Sequence, residues 1–221
     1  MLRWTLIVAF LAVSGTAAAA TRDSAAHRPL RCPPRGQAVI AANSEVRVYR
    51  PKIGTGPADV AVGACVVGRR TRMTLVPSTE RPARFGGGGS IDEIALAGHV
   101  VAYVVHRRVG VDTGASELIV ADVARRFILR ETAVGYSVDA GLVADEDLTA
   151  LVVTPAGAVA WIAARHGIPI RPAAATVYAA APTSGVTVLD EGPKIDPASL
   201  KLTGSTLSWT DAAGVRTGAM P

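Results

Sequence analysis

The sequence predicts an all-β protein of repeated antiparallel sheets, and three observations carry that prediction. A phrase ending in an aromatic, Gly98-His-Val-Val-Ala-Tyr103, returns one residue shorter as Gly157-Ala-Val-Ala-Trp161 and at full length as Gly204-Ser-Thr-Leu-Ser-Trp209. Each copy follows a short apolar run, Ile94-Ala-Leu-Ala97, Leu151-Val-Val-Thr154 or Leu200-Lys-Leu-Thr203, so the unit reads as strand, tight turn, strand with an inward aromatic. The rest of the chain divides into short β-rich runs separated by glycine and proline.

Residues 1–20 read as a signal peptide. Arg3 supplies a positive start, residues 6–13 an apolar core and residues 17–20 a small-residue cleavage zone. The cleavage zone holds no cysteine for a lipid anchor, and the later apolar run at residues 100–105 is far too short to span a bilayer. The expected product is a soluble, exported chain of residues 21–221, a single β-repeat domain with no transmembrane segment. An uncleaved anchor is the alternative, because the apolar core runs straight into the alanine tract. The remaining ~200 residues suffice for one substantial core or two small ones. The 49% hydrophobic fraction overstates the packing material, since much of it is alanine in the leader and at residues 173–175 and 179–181.

Cys32 and Cys65 are the two cysteines, and in an oxidising compartment they most simply pair, closing a loop of about thirty residues. Two free or intermolecular thiols are the other reading. Strands are expected at residues 38–40, 45–50, 60–67 and 72–76, followed by a Gly/Pro-rich connector over residues 77–90 that contains Gly86-Gly-Gly-Gly89. A first full cycle covers residues 91–96, 100–106, 117–123 and 126–131, and a second covers 147–153, 158–163, 176–180 and 186–189. A third begins at residues 200–203 and 206–210 and stops after a short strand at 215–217.

The incomplete last cycle and the headless N-terminal strands suggest that the two chain ends share one sheet, a ring-closing device that avoids open edges. Glu45-Val-Arg-Val-Tyr49 then takes the part that Glu117-Leu-Ile-Val-Ala121 takes in the first cycle. This arrangement is a small or partial β-propeller of about three blades, fewer than an ordinary propeller. A small closed ring, an open arc completed by a partner, and a three-fold β barrel or sandwich all fit the pattern.

Several segments together resemble a known group of sequences. They are Val101-Ala-Tyr-Val104, Val109-Gly-Val-Asp-Thr-Gly-Ala-Ser-Glu-Leu-Ile-Val-Ala-Asp122, Leu151-Val-Val-Thr-Pro-Ala-Gly-Ala-Val-Ala-Trp-Ile162, Leu189-Asp190, Ile195-Asp-Pro-Ala-Ser-Leu200 and Gly204-Ser-Thr-Leu-Ser-Trp-Thr210. The group is that of uncharacterised secreted β-propeller-like proteins of high-GC actinobacteria, and Val62-Gly-Ala-Cys-Val66 is similar to its Tyr-Ala-Cys-type segment, with Gly63 where an aromatic often sits. The resemblance implies an extracytoplasmic β fold and no agreed activity.

Val111-Asp-Thr-Gly-Ala-Ser116 resembles the aspartic-protease signature, in which two aspartates share a proton and activate water. One such aspartate per chain requires a dimer, so the enzyme alternative is a hydrolase centred on Asp112 and active only as a homodimer. Against it, Gly110 and Arg107-Arg108 stand where apolar support is needed; the simpler reading is a polar hairpin with Gly114 at positive φ.

Other chemistry is weaker. His27, His99, His106 and His166 have no metal spacing, so neither a metal nor a cofactor is expected. Ser44, Ser116 and Ser184 lack a nucleophile-elbow context, and Gly86 to Gly89 lacks the lysine of a phosphate loop. Asp190, Glu191 and Asp196 match no calcium loop and read as solvent-exposed.

The formal charge of +5 falls by one when the leader, with Arg3, is removed. Arg69-Arg70-Thr71-Arg72, Arg107-Arg108 and Arg125-Arg126 read as charged hairpin ends; no aromatics interleave with them, so no nucleic-acid partner is expected. Gly98, Gly157 and Gly204 are read as turn residues, and Tyr103, Trp161 and Trp209 as packing anchors, with Ala102, Ala160 and Ser208 as the small neighbours that a large ring needs. The functional expectation is a secreted or envelope-associated binding module for an extracellular or envelope ligand, with a homo-oligomer among its expected partners.

Overall fold

A computed structural model describes residues 31–51, 62–76, 90–108, 113–138, 146–165 and 173–221. The described chain is all-β and forms four antiparallel sheets, none of which closes into a barrel. Sheet 1 contains β1 (Gln37–Ala42), β2 (Val46–Pro51), β3 (Val62–Val66) and β4 (Arg72–Val76) in that order. Sheet 2 contains β5 (Ser90–Ala97), β6 (Val100–Arg108), β7 (Thr113–Asp122) and β8 (Phe127–Val138). Sheet 3 contains β9 (Glu146–Val153), β10 (Val159–Arg165), β11 (Ala174–Ala180) and β12 (Thr187–Gly192). Sheet 4 has three strands, β13 (Lys201–Thr203), β14 (Thr206–Asp211) and β15 (Gly214–Ala219). No helix among the described residues is long and apolar enough to cross a membrane.

The shared terminal sheet expected from the sequence does not form. β1 to β4 make a sheet of their own, and among the described residues β15 pairs only with β14. β2 is therefore the second strand of its sheet, the place β6 holds in sheet 2, and Val62–Val66 holds the place of β7. Four sheets replace the expected three, because the N-terminal strands were a whole unit whose turn lacks glycine. Gly114 is also displaced from the expected turn: it lies within β7, paired with Arg108 in a β6 that runs two residues past His106. Asp112, the Gly-rich connector at 77–89 and the leader lie outside the described residues.

Successive sheets pack face to face through three apolar cores. Sheets 1 and 2 enclose Val46, Val48, Ala64 and Leu75 with Val101, Tyr103 and Ile119. Sheets 2 and 3 enclose Ala102, Val104, Leu118 and Val120 with Val159 and Trp161. Sheets 3 and 4 enclose Ala160, Ile162 and Val177 with Leu207 and Trp209. Sheets 2 and 3 thus bury both faces, and β6 and β10 read as nearly continuous apolar runs where a half-buried strand would alternate.

The repeated dipeptide before each turn-strand aromatic gives the packing a direction. Since neighbours along a strand point to opposite faces, Tyr103 enters the core shared with sheet 1 while Ala102 enters the core shared with sheet 3, where Trp161 lies. One repeat later, Trp161 faces sheet 2 and Ala160 shares a core with Trp209. The aromatic of each unit therefore packs into the core beside the alanine of the unit before it. Trp161 stacks on its cross-strand neighbour Tyr178 with centroids 5.2 Å apart, the Tyr103 hydroxyl donates to the Leu75 carbonyl at 3.1 Å, and Trp209 Nε1 donates to Asp190 Oδ2 at 2.7 Å.

Both ends of the stack are capped. In sheet 4 the residue after Leu207 faces outward and is Ser208, in register with Lys201 and Thr217, so the middle of this face is polar, as in a capping repeat. On the outer face of sheet 1, the Tyr49 ring lies over Gly63, where a Cβ would come within 2.8 Å of it. This explains the glycine: the ring leaves no room for a side chain at position 63. Beside it, a disulfide joins Cys32 to Cys65. Arg47 Nη1 and Arg72 Nη2 hold the same N-terminal segment through the carbonyls of Cys32 and Arg31, at 2.8 and 2.9 Å.

The same repeat position should respond oppositely in the middle and at the end of the stack. Ala160→Leu is expected to destabilise by about 1–3 kcal/mol through overpacking against Trp209, while Ser208→Leu, facing out, should change stability by no more than ~0.5 kcal/mol. Urea melts of the two variants compare them directly; equal losses would contradict the directional packing.

At the β14–β15 turn, Asp211 Oδ2 accepts from Arg216 Nε at 2.8 Å and Oδ1 accepts from the Ala213 N–H at 2.7 Å. The Arg216 hydrogen bond holds the Asp211 carboxyl below its ordinary 3.8 against a smaller opposing effect of desolvation. A depressed native value means the contribution is present above pH 3.8 and is lost as pH falls through the lower native value. Asp211→Asn should therefore flatten the acid limb of the stability profile, and an unchanged limb would remove this pair from the account.

Candidate functional site

At one end of the stack, the turns of three sheets gather around an open groove of about 570 Å³. Its walls are Glu45 and Arg69 from sheet 1, His99, Asp122 and Arg125 from sheet 2, and Pro155 from sheet 3. These residues converge because each sheet makes its first hairpin turn and its third at the same end, as an up-and-down meander must.

Local chemistry shapes each turn. In the β1–β2 turn Asn43 replaces glycine: its Oδ1 accepts the N–H groups of Glu45 and Val46 at 2.8 and 2.7 Å, closing an Asx turn. Its Nδ2 donates to the Gly98 carbonyl at 3.0 Å and so ties the first turn of sheet 1 to that of sheet 2. Gly98 has φ +55°, a conformation that suits glycine. In both sheets the residue after the turn is held by its carbonyl: Val67 N–H donates to Glu45 and Val123 N–H to His99, at 2.8 and 3.0 Å. In the third, Thr154 Oγ1 accepts from the Ala158 N–H at 3.0 Å and Gly157 takes φ +90°, presenting Pro155.

The groove is lined by charge of both signs. His99 Nε2 lies 3.0 Å from Glu45 Oε2, both side chains partly exposed. Asp122 is only 8% exposed; its Oδ1 accepts the Arg125 N–H at 3.0 Å, and its Oδ2 sits 3.6 Å from Arg125 Nη1. Asp122 thereby holds the turn that presents the exposed Arg125. Arg69 stands exposed on the corresponding β3–β4 turn. Arg69 and Arg125 bring two guanidinium groups to the groove, a group chemistry suited to anions, while Glu45 and His99 add an acceptor and a hydrogen-bonding ring.

Arg69-Arg70 and Arg125-Arg126 do lie on hairpin turns, with Arg126 at φ 57°, whereas Arg107-Arg108 belong to β6. Gly98, Gly157 and Gly204 all sit in first-hairpin turns with positive φ. Tyr103, Trp161 and Trp209 are buried between sheets, away from the groove. Among the described residues no cluster of metal-ligating side chains forms. Asp190 and Asp196 serve local roles, the first with Trp209 and the second accepting the Ala198 N–H at 3.0 Å.

The structure also joins two residues that linear order left apart. Ser116 Oγ and His106 Nδ1 are 2.7 Å apart across β6 and β7. The carboxylate next in sequence, Glu117, points to the opposite face of β7 and does not complete a triad with them. Glu45 and Asp122 were not singled out by sequence reasoning. Their one sequence signal is position: each directly borders a hairpin turn.

Comparison with protein-family models finds no match. Comparison with the curated proteins and with the solved structures likewise finds no match.

Proposed function

We propose that this chain is an exported binding module acting at or outside the cell envelope, its four sheets forming the blades of an open, propeller-like arc. The observation that carries the reading is the groove, assembled from turns of three sheets on a frame whose stability rests on cores elsewhere. The neighbouring placement of the first strands, β1 beside β5, β5 beside β9 and β9 beside β13, supports a radial arrangement of the sheets. The apolar leader and the resemblance to secreted β-propeller-like proteins support export. Loops on such a frame vary without disturbing the sheets, which suits recognition.

The groove selects a polar ligand that carries an anionic group for Arg69 and Arg125. Envelope extracts passed over the immobilised wild-type chain should yield a partner that the Arg69→Glu/Arg125→Glu variant fails to retain, at an unchanged melting temperature. A partner retained equally by both proteins, or none retained by the wild type, would count against the groove as the recognition site.

A further inference from the structure

Sheets 1 to 3 each carry a fourth strand, and among the described residues sheet 4 has three. β15 stands where β3, β7 and β11 stand in their sheets, and no described strand covers its outer edge. The ladder shows which groups that edge presents. Met220 N–H donates to the Ser205 carbonyl at 2.9 Å, in register with the Thr206–Ala219 and Leu207–Gly218 pairs. Hydrogen-bonded and non-bonded pairs alternate in an antiparallel ladder. Gly214, Arg216 and Gly218 therefore bond to β14, and Val215, Thr217 and Ala219 turn their N–H and C=O groups outward. All three side chains are exposed, Val215 at 72%.

Natural edges are blunted by charge, proline or a bulge. β15 has no proline and no register shift against β14. Its single charge, Arg216, is held by Asp211 at 2.8 Å. Fixed negative charge lies close by: Asp190 on β12 accepts from Trp209, and Leu189 Cδ1 would lie 3.6 Å from a Cβ placed on Gly218. With Asp211, this puts two carboxylates beside the single guanidinium of Arg216. Two copies joined edge to edge at β15 would bring two such acidic surroundings together, whereas a basic strand would meet complementary charge.

We propose that β15 accepts a fourth strand from an extended basic peptide segment of a partner protein, completing sheet 4 by strand addition. The edge belongs to sheet 4, which contributes nothing to the groove, so this interaction stands or falls apart from the ligand site.

The probe is a capped synthetic peptide carrying the sequence of β4, Arg72-Met-Thr-Leu-Val76, with one lysine added at each end. It should bind the folded chain saturably, with amide shifts concentrated at Val215, Thr217 and Ala219. Thr217→Pro removes an outward N–H without touching the β14 ladder and should weaken binding by roughly tenfold or more. Should Thr217→Pro fail to fold, N-methylation of the peptide on alternate amides replaces it: methyl groups on one edge should abolish binding and those on the other should not. A peptide with glutamate in place of its basic residues should bind roughly tenfold more weakly. No saturable binding, shifts centred elsewhere, or equal binding of the acidic peptide would overturn the proposal. A concentration-dependent dimer that Thr217→Pro abolishes would overturn it too, by assigning the edge to a second copy.

Discussion

Trp161→Ala should destabilise the chain by about 3–5 kcal/mol, a large share of the ~5–15 kcal/mol that holds a domain together. The ring is 2% exposed, lies in the core between the two central sheets and stacks on Tyr178. Its removal opens a cavity beside Ala102, a residue too small to fill it, and the β strands on either side cannot close over the gap without losing register. The loss should be felt in both neighbouring interfaces, because sheets 2 and 3 bury both faces. Urea denaturation measures it. A variant with a near wild-type midpoint that had lost only ligand binding would move Trp161 from the frame to the recognition site.

Removing the Cys32–Cys65 disulfide should cost roughly 3–4 kcal/mol, from the chain entropy of the loop it closes, since the sequence separation is 33 residues. The position adds a structural consequence. Cys65 is fully buried on the outer face of sheet 1, and the bridged segment is what covers it. In the Cys32→Ser/Cys65→Ser variant, Arg47 and Arg72 lose the carbonyl acceptors that the staple brings to them, and amide exchange should rise in β3 and β4 before it rises in β10. Uniform exchange across all four sheets, with stability unchanged, would show that the staple closes no face.

The strands were legible because glycine turns and β-rich runs are local signals: Gly98, Gly157 and Gly204 each mark a hairpin that the structure contains. The first unit escaped the repeat because Asn43 makes the same turn with a side-chain oxygen, leaving no glycine to count. Sheet partnership was not legible, since a run such as Glu45 to Tyr49 looks the same as a second or a third strand. The meaning of the Ala–aromatic dipeptide emerged only from facing. In sequence Ala102 and Ala160 look like companions of the ring beside them, yet strand pleat turns each to the opposite core, where the next unit's ring lies. The groove was largely hidden for a related reason: Glu45 and His99 are 54 positions apart in sequence, and only the stacking of two turns brings them to 3.0 Å.

The central claim is that the four described sheets stack in one direction without the first and last packing on each other. A distance measured between spin labels on unnatural side chains at Thr74, on the last strand of sheet 1, and Thr217, on the outer face of sheet 4, tests it most directly. Packed sheets lie about 10 Å apart, so three interfaces in an open stack should place the labelled sheets on the order of 20–30 Å from each other in a single narrow distribution. A distance near 10 Å, the spacing of directly packed sheets, would contradict the open stack and show that the first and last sheets close a ring.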